Sequence, residues 1–160
     1  MKMPLEMRLK RELHKRIAHA QDIIVEEVYK IFDRAVLHGG TAIWRCYEGK
    51  RFSEDVDFYL PREKEKIALL FRNLEKKGLK IIKNKVSNTS IFSEVEFERT
   101  RVRLEATFQN VKGVLADYET ADGNIMSIYS LTPEMFIKEK VKTYNKRRKV
   151  RDLWDIFFLL

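Results

Sequence analysis

A single cysteine in 160 residues excludes an internal disulfide and any cysteine-rich zinc site. Cys46, on the segment that follows a glycine pair, is expected to pack as a small apolar residue. No apolar run approaches the roughly 20 residues that a membrane span needs, and the amino terminus has no apolar signal core. The expected location is therefore the cytoplasm, with no membrane partner. Negative charge is the scarcer sign: 32 Lys and Arg against 24 Asp and Glu leave a formal charge of +8 and a pI near 9.5. That balance implies an anionic partner, nucleic acid first. A 35% charged fraction rich in Lys, Arg and Glu is equally the composition of proteins built for heat. With 44% hydrophobic residues, the length suits one domain, residues 1–160, with a real core.

Glycine is also sparse, six residues in all, and two of them stand together in the stretch that organises the chain. An apolar run at 35–37 leads into Gly39 and Gly40, and Thr41 to Trp44 read as the first turn of a helix. After a polar turn near 48–53 the chain re-extends at 55–60. There Val56, Phe58 and Leu60 point one way and Asp55, Asp57 and Tyr59 the other. Two carboxylates on one strand face repel each other unless a cation sits beside them. A glycine pair ahead of a helix lets backbone approach a ligand and aims free N–H groups at an anion. Phosphate at the glycines and a divalent metal at the aspartates is the simplest joint explanation. His38, just before the glycines, either faces such a ligand or fills space at the strand end.

The rest of the chain frames this unit. Residues 5–32 repeat Leu9, Leu13, Ile17, Ile24, Val28 and Ile31 at helical spacing, with a basic first half. Neither His14 nor His19 has a ligand-like neighbour there. Residues 62–77 form a second amphipathic helix stopped by Gly78. Strands at 79–86, 91–98 and 101–108 predict an antiparallel meander, and 117–120 with 125–130 a hairpin. In the third strand Glu105 lies on the polar face with Arg101, Arg103 and Thr107, where Arg103 or Lys112 could be an ordinary salt-bridge partner. Thr132-Pro133 opens a helix, along which Phe136, Lys140, Tyr144 and Arg147 share a side. Arg151 and Asp155 have the spacing of a local ion pair. Lysines and arginines crowd residues 138–151 around one aromatic, Tyr144, a density that suits a phosphate backbone. The apolar end at 156–160 needs cover.

Gly39-Gly40-Thr41 followed by Arg51-Phe52-Ser53-Glu54-Asp55-Val56-Asp57-Phe58 resembles the signature of the nucleotidyltransferase superfamily that includes DNA polymerase beta. It is more closely similar to the AbiEii-like branch, the toxin half of type IV toxin–antitoxin systems. Pro133-Glu134, Lys140, Arg147 and the run Arg151-Asp152-Leu153-Trp154-Asp155 match later motifs of that branch.

The resemblance implies an α+β fold: a mixed β-sheet core at 34–131, an N-terminal helix at 1–33, and short C-terminal helices at 132–160. Family members usually continue into a larger helical domain, so this is either a compact version or a shortened one. The implied chemistry moves a nucleoside monophosphate from a nucleoside triphosphate to a hydroxyl, RNA or protein, with two Mg²⁺ ions. By resemblance Asp55, Asp57 and Glu105 are the catalytic carboxylates and metal ligands, Glu105 on the metal nearer the attacking hydroxyl. Gly39, Gly40, Thr41, Ser53 and Lys140 hold the phosphates. Arg51 either does the same or braces the aspartates. Arg147, Asp152 and Asp155 lie close by, and a cognate antitoxin is the implied partner. The rival readings are an inactive nucleotide- or RNA-binding module and a structural subunit.

Overall fold

The apolar stripe through Ile17, Ile24 and Val28 becomes one long helix, α1 (Glu12–Ile31), buried along that side. In the computed structural model, which describes residues 2–160, this helix does not begin at residue 5. A 3-10 turn, Leu5–Arg8, precedes it, and the extended Leu9 and Arg11 separate the two. Leu13 is left exposed as a result.

After α1 come β1 (Val36–His38), α2 (Gly39–Cys46), β2 (Val56–Leu60) and α3 (Lys64–Lys76). The meander follows as β3 (Lys80–Val86), β4 (Ser90–Phe97) and β5 (Thr100–Phe108), then the hairpin β6 (Val114–Glu119) and β7 (Ile125–Ser130). The chain closes with α4 (Pro133–Arg147) and α5 (Val150–Leu159). The helix after the glycines thus starts at Gly39 itself, two residues before the expected Thr41.

The main sheet has five strands in the order β1-β2-β5-β4-β3. The meander supplies its antiparallel half, while β2 inserts beside β5 in parallel and β1 pairs antiparallel with β2. The mixed α+β architecture matches the expectation. Two residues, Glu98 and Arg99, make the β4–β5 turn with φ of 50° and 63°, the left-handed pair that a two-residue hairpin demands. On one sheet face Ile91, Val95, Val102, Leu104 and Ala106 are buried with α1 and α3. The other face carries the polar alternates. Tyr29 of α1 anchors the edge: its hydroxyl accepts from Leu37 N–H and donates to the Tyr129 carbonyl. Thr132 caps α4 by accepting from Met135 N–H at 3.2 Å, with Pro133 behind it.

Candidate active site

Gly39 sits in the left-handed region, φ 76°, and a Cβ there would lie 2.6 Å from the Asp57 carboxylate oxygen Oδ2. A Cβ on Gly40 would lie 2.7 Å from the Arg51 guanidinium and 3.0 Å from Ser53 Oγ. Gly39 is therefore doubly constrained, by its left-handed backbone and by the approach of Asp57, while Gly40 lets Arg51 and Ser53 come close to the backbone. The N-terminus of α2 opens beside these groups, a favourable place for an anion.

Strand register completes the arrangement. His38 on β1 stands opposite Asp57 on β2, and Asp57 stands opposite Glu105 on β5. Directly opposed residues share a face, so both carboxylates project into one cleft. Burial, then the nearby Glu105 and Asp55 carboxylates, push the Asp57 carboxyl up to about 7, against the opposing pull of His38. Like charge crowded on one strand face disfavours the ionised form of Asp57, the group that burial already penalises.

Asp55 lines the same cleft but departs from the expectation. It precedes β2 rather than lying within it. Its carboxylate accepts from Arg103 at 3.0 and 2.9 Å. Arg103, read as a partner for Glu105, is thus the counter-ion of Asp55, and its guanidinium is held more firmly protonated by that contact.

The loop that carries Ser53 and Asp55 is anchored from beneath. Thr41 is fully buried and its hydroxyl bonds Ser53 Oγ at 2.9 Å and the Asp55 carbonyl. Thr41 therefore lies below the cleft wall and orients the loop. Gln21 of α1 donates to the Ser53 carbonyl at 2.8 Å. Arg45, fully buried on α2, donates to Gln21 Oε1, Ala18 O and Asp22 Oδ1. Gln21 was detectable in the sequence as a polar residue on the apolar stripe of a helix.

Opposite the sheet, α4 and α5 contribute a braced cationic wall. Lys140 is buried, 2.9 Å from Asp155 and 3.5 Å from Asp152. Asp155 also accepts both Arg51 donors, at 3.1 and 2.7 Å, and Asp152 accepts both Arg147 donors, at 2.8 and 2.6 Å. Burial would raise the Asp152 carboxyl, but Arg147 and Lys140 hold it below its ordinary value. The local pair Arg151–Asp155 does not form; tertiary partners take Asp155. Arg151 instead lines the cleft.

Between these walls lies a cleft of about 490 Å³, within the usual range for small-molecule sites. At its back His38 stacks on Tyr59, ring centroids 3.9 Å apart, and Tyr59 donates to Glu139. Glu139 and Gln109 are cleft residues that the sequence did not single out. Among the described residues, one group of three potential ligands has its donor atoms within 4.8 Å of one another: Glu6, His19 and Asp122. It lies outside the cleft, and its His19–Glu6 contact of 2.6 Å ties α1 to the preceding turn.

The family model described as nucleotidyl transferase AbiEii toxin, type IV TA system, matches residues 29–160. The chain belongs to the AbiEii family. The AbiEii match spans the glycine turn, the acidic strands and the α4–α5 wall together. No curated protein sequence matches the chain. Among solved structures it is similar to JHP933 from Helicobacter pylori, with a TM-score of 0.71 at 19% identity over 94% of this chain and 67% of that one. The Megavirus polyadenylate synthase gives a TM-score of 0.58 at 14% identity, covering 89% of this chain and 31% of that one. These likenesses establish the nucleotidyltransferase fold. No helix among the described residues is long and apolar enough to cross a membrane.

Proposed function

We propose that this AbiEii-family chain transfers a nucleoside monophosphate from a nucleoside triphosphate to an acceptor hydroxyl, with RNA as the acceptor. The observation that carries the reading is the register pair Asp57–Glu105 beside the Gly39 backbone. The donor set fits divalent magnesium: Asp55, Asp57 and Glu105 offer hard carboxylate oxygens, and the crowding that raises the Asp57 carboxyl is one that a dication would relieve. Bound there, a pair of Mg²⁺ ions would supply charge neutralisation and Lewis acidity at the phosphoryl oxygens.

The chain's own groups account for the rest. Backbone N–H groups at Gly39 and Gly40, with Ser53, receive the triphosphate, and Lys140, Arg51 and Arg147 face its charge. The aspartates behind them offset the mutual repulsion of these cations. Attack by the hydroxyl oxygen on the α-phosphorus forms one P–O bond and breaks the bond to the β-phosphate. Glu105 takes the hydroxyl proton, and pyrophosphate leaves past Lys140. As a family of type IV toxins implies, the partner in the cytoplasm would be a cognate antitoxin.

Total RNA and total protein, each incubated with the four labelled triphosphates and Mg²⁺, test the proposal. RNA is expected to be labelled, and Asp57→Asn should stop it. The Asp55–Arg103 contact favours one alternative, an RNA-binding module with a relic site. That alternative is accepted if RNA binds but no triphosphate labels it.

A further inference from the structure

The row of opposed residues His38–Asp57–Glu105 does not end at Glu105. On β4 the residue opposite Glu105 is Phe92, and on β3 the residue opposite Phe92 is Lys85. Phe92 is 40% exposed although its strand neighbours Ile91 and Ser93 are buried. It projects from the same face as the two carboxylates, one strand spacing, about 5 Å, beyond Glu105. The helices α1 and α3 cover the opposite face, and Lys83 and Lys85 stand exposed on this one. Neither lysine is in an ion pair among the described residues, because Glu94, beside Lys83, is taken by Arg101.

We infer that this open face of β3–β4–β5 is the acceptor site, where the terminal base of a single-stranded RNA stacks on Phe92 and puts its 3′ hydroxyl at Glu105. The inference rests on the proposed transferase reading and names where its acceptor enters. The order of the row sets the polarity. Gly39, directly after the edge strand β1, lies on the far side of Asp57 from β4, so the triphosphate occupies that side and the nucleophile arrives over β4. A lone exposed aromatic is ordinary on a protein surface. One flanked by a catalytic-type carboxylate and unpaired lysines has the make-up of a single-strand platform: a π-face for any base and cations for the backbone. The basic helix α4 lacks this make-up, since of its two aromatics Phe136 is buried and Tyr144 has the Arg148 guanidinium over its ring, 5.2 Å from the centroid.

The test is fluorescence anisotropy of a short, 5′-labelled single-stranded RNA against the full chain carrying Asp57→Asn, without nucleotide. Adding Phe92→Ala is expected to weaken binding about tenfold or more, and Phe92→Tyr to restore it. Lys83→Ala with Lys85→Ala should lower the salt slope by about 1.4. Thermal unfolding midpoints equal to the parent's show that these variants fold. With Asp57 intact, Phe92→Ala should raise KM for the RNA and leave KM for the triphosphate unchanged. Unchanged RNA affinity in Phe92→Ala, photocrosslinks confined to α4 or to exposed Trp154, or labelling of protein instead of RNA each overturn the inference. Transfer that needs Asp57 but not Phe92 sinks the platform and leaves the enzyme standing. Phe92-dependent binding without transfer sinks the enzyme and leaves the platform.

Discussion

At the residue scale, Asp57 concentrates the electrostatics of the site. Its carboxyl, raised to about 7 by burial and by Glu105 and Asp55, holds a proton in the folded protein that the unfolded chain, near the ordinary value of about 4, has already released. Between those pH values the folded state binds more protons, so stability from this group falls as pH rises from about 4 to 7 and is level above. Asp57→Asn removes the dependence. Urea midpoints at pH 5 and pH 8 should therefore show the variant gaining on the parent at the higher pH. A parent–variant gap that does not move with pH refutes the raised Asp57 carboxyl. Gly39 is the other exacting residue: Gly39→Ala adds a Cβ 2.6 Å from that carboxylate at φ 76°. It should cost about 1–2 kcal/mol in backbone strain alone, read by urea unfolding, and displace Asp57.

The elements explain why the cationic wall stays open. Lys140, Arg51 and Arg147 point toward one cleft and would repel without Asp152 and Asp155, both almost completely buried on α5. Removing one member of a buried ion network leaves charge uncompensated, at about 3–5 kcal/mol. Asp155→Ala should accordingly lower stability by that order in chemical denaturation and raise KM for the triphosphate. A stability loss below 1 kcal/mol would mean that Asp152 alone suffices. On the opposite side, α1 steadies the acidic loop through Gln21. Gln21→Leu keeps the size but leaves the Ser53 carbonyl without its donor and removes one of the Arg45 guanidinium's acceptors, at about 1–3 kcal/mol. Its kcat is expected to drop with the triphosphate KM little changed, and a variant with parental kcat would show that the loop holds itself.

For the whole molecule, the proposed ligands join parts that are distant in the chain: β1–α2, β2, β5 and α4. Binding to the native state alone adds RT ln(1 + [L]/Kd), about 2.7 kcal/mol at a hundredfold excess over Kd. At roughly 2–4 °C per kcal/mol for a chain of this size, Mg²⁺ with a non-reactive triphosphate analogue should raise the unfolding midpoint by about 5–10 °C. The shift should vanish in Asp57→Asn and shrink when EDTA replaces Mg²⁺. A metal-independent shift would place the nucleotide elsewhere.

Much of this was legible in local pattern. Alternation by itself put Asp57 and Glu105 on the polar sides of their strands, glycine pairing marked the tight approach before α2, and the Thr132-Pro133 cap located α4. Those are properties of a few consecutive residues, set by backbone sterics and hydrogen-bonding capacity. Which strand lies beside which was not local. Only the folded sheet decides that β2 slides in parallel to β5, so that Asp57 meets Glu105 and Phe92 extends the row. Only packing gives Arg103 to Asp55, or turns Asp152 and Asp155 into braces for cations carried on other elements. Pairings of that kind follow from long-range burial and charge neutralisation, which no short window of sequence contains.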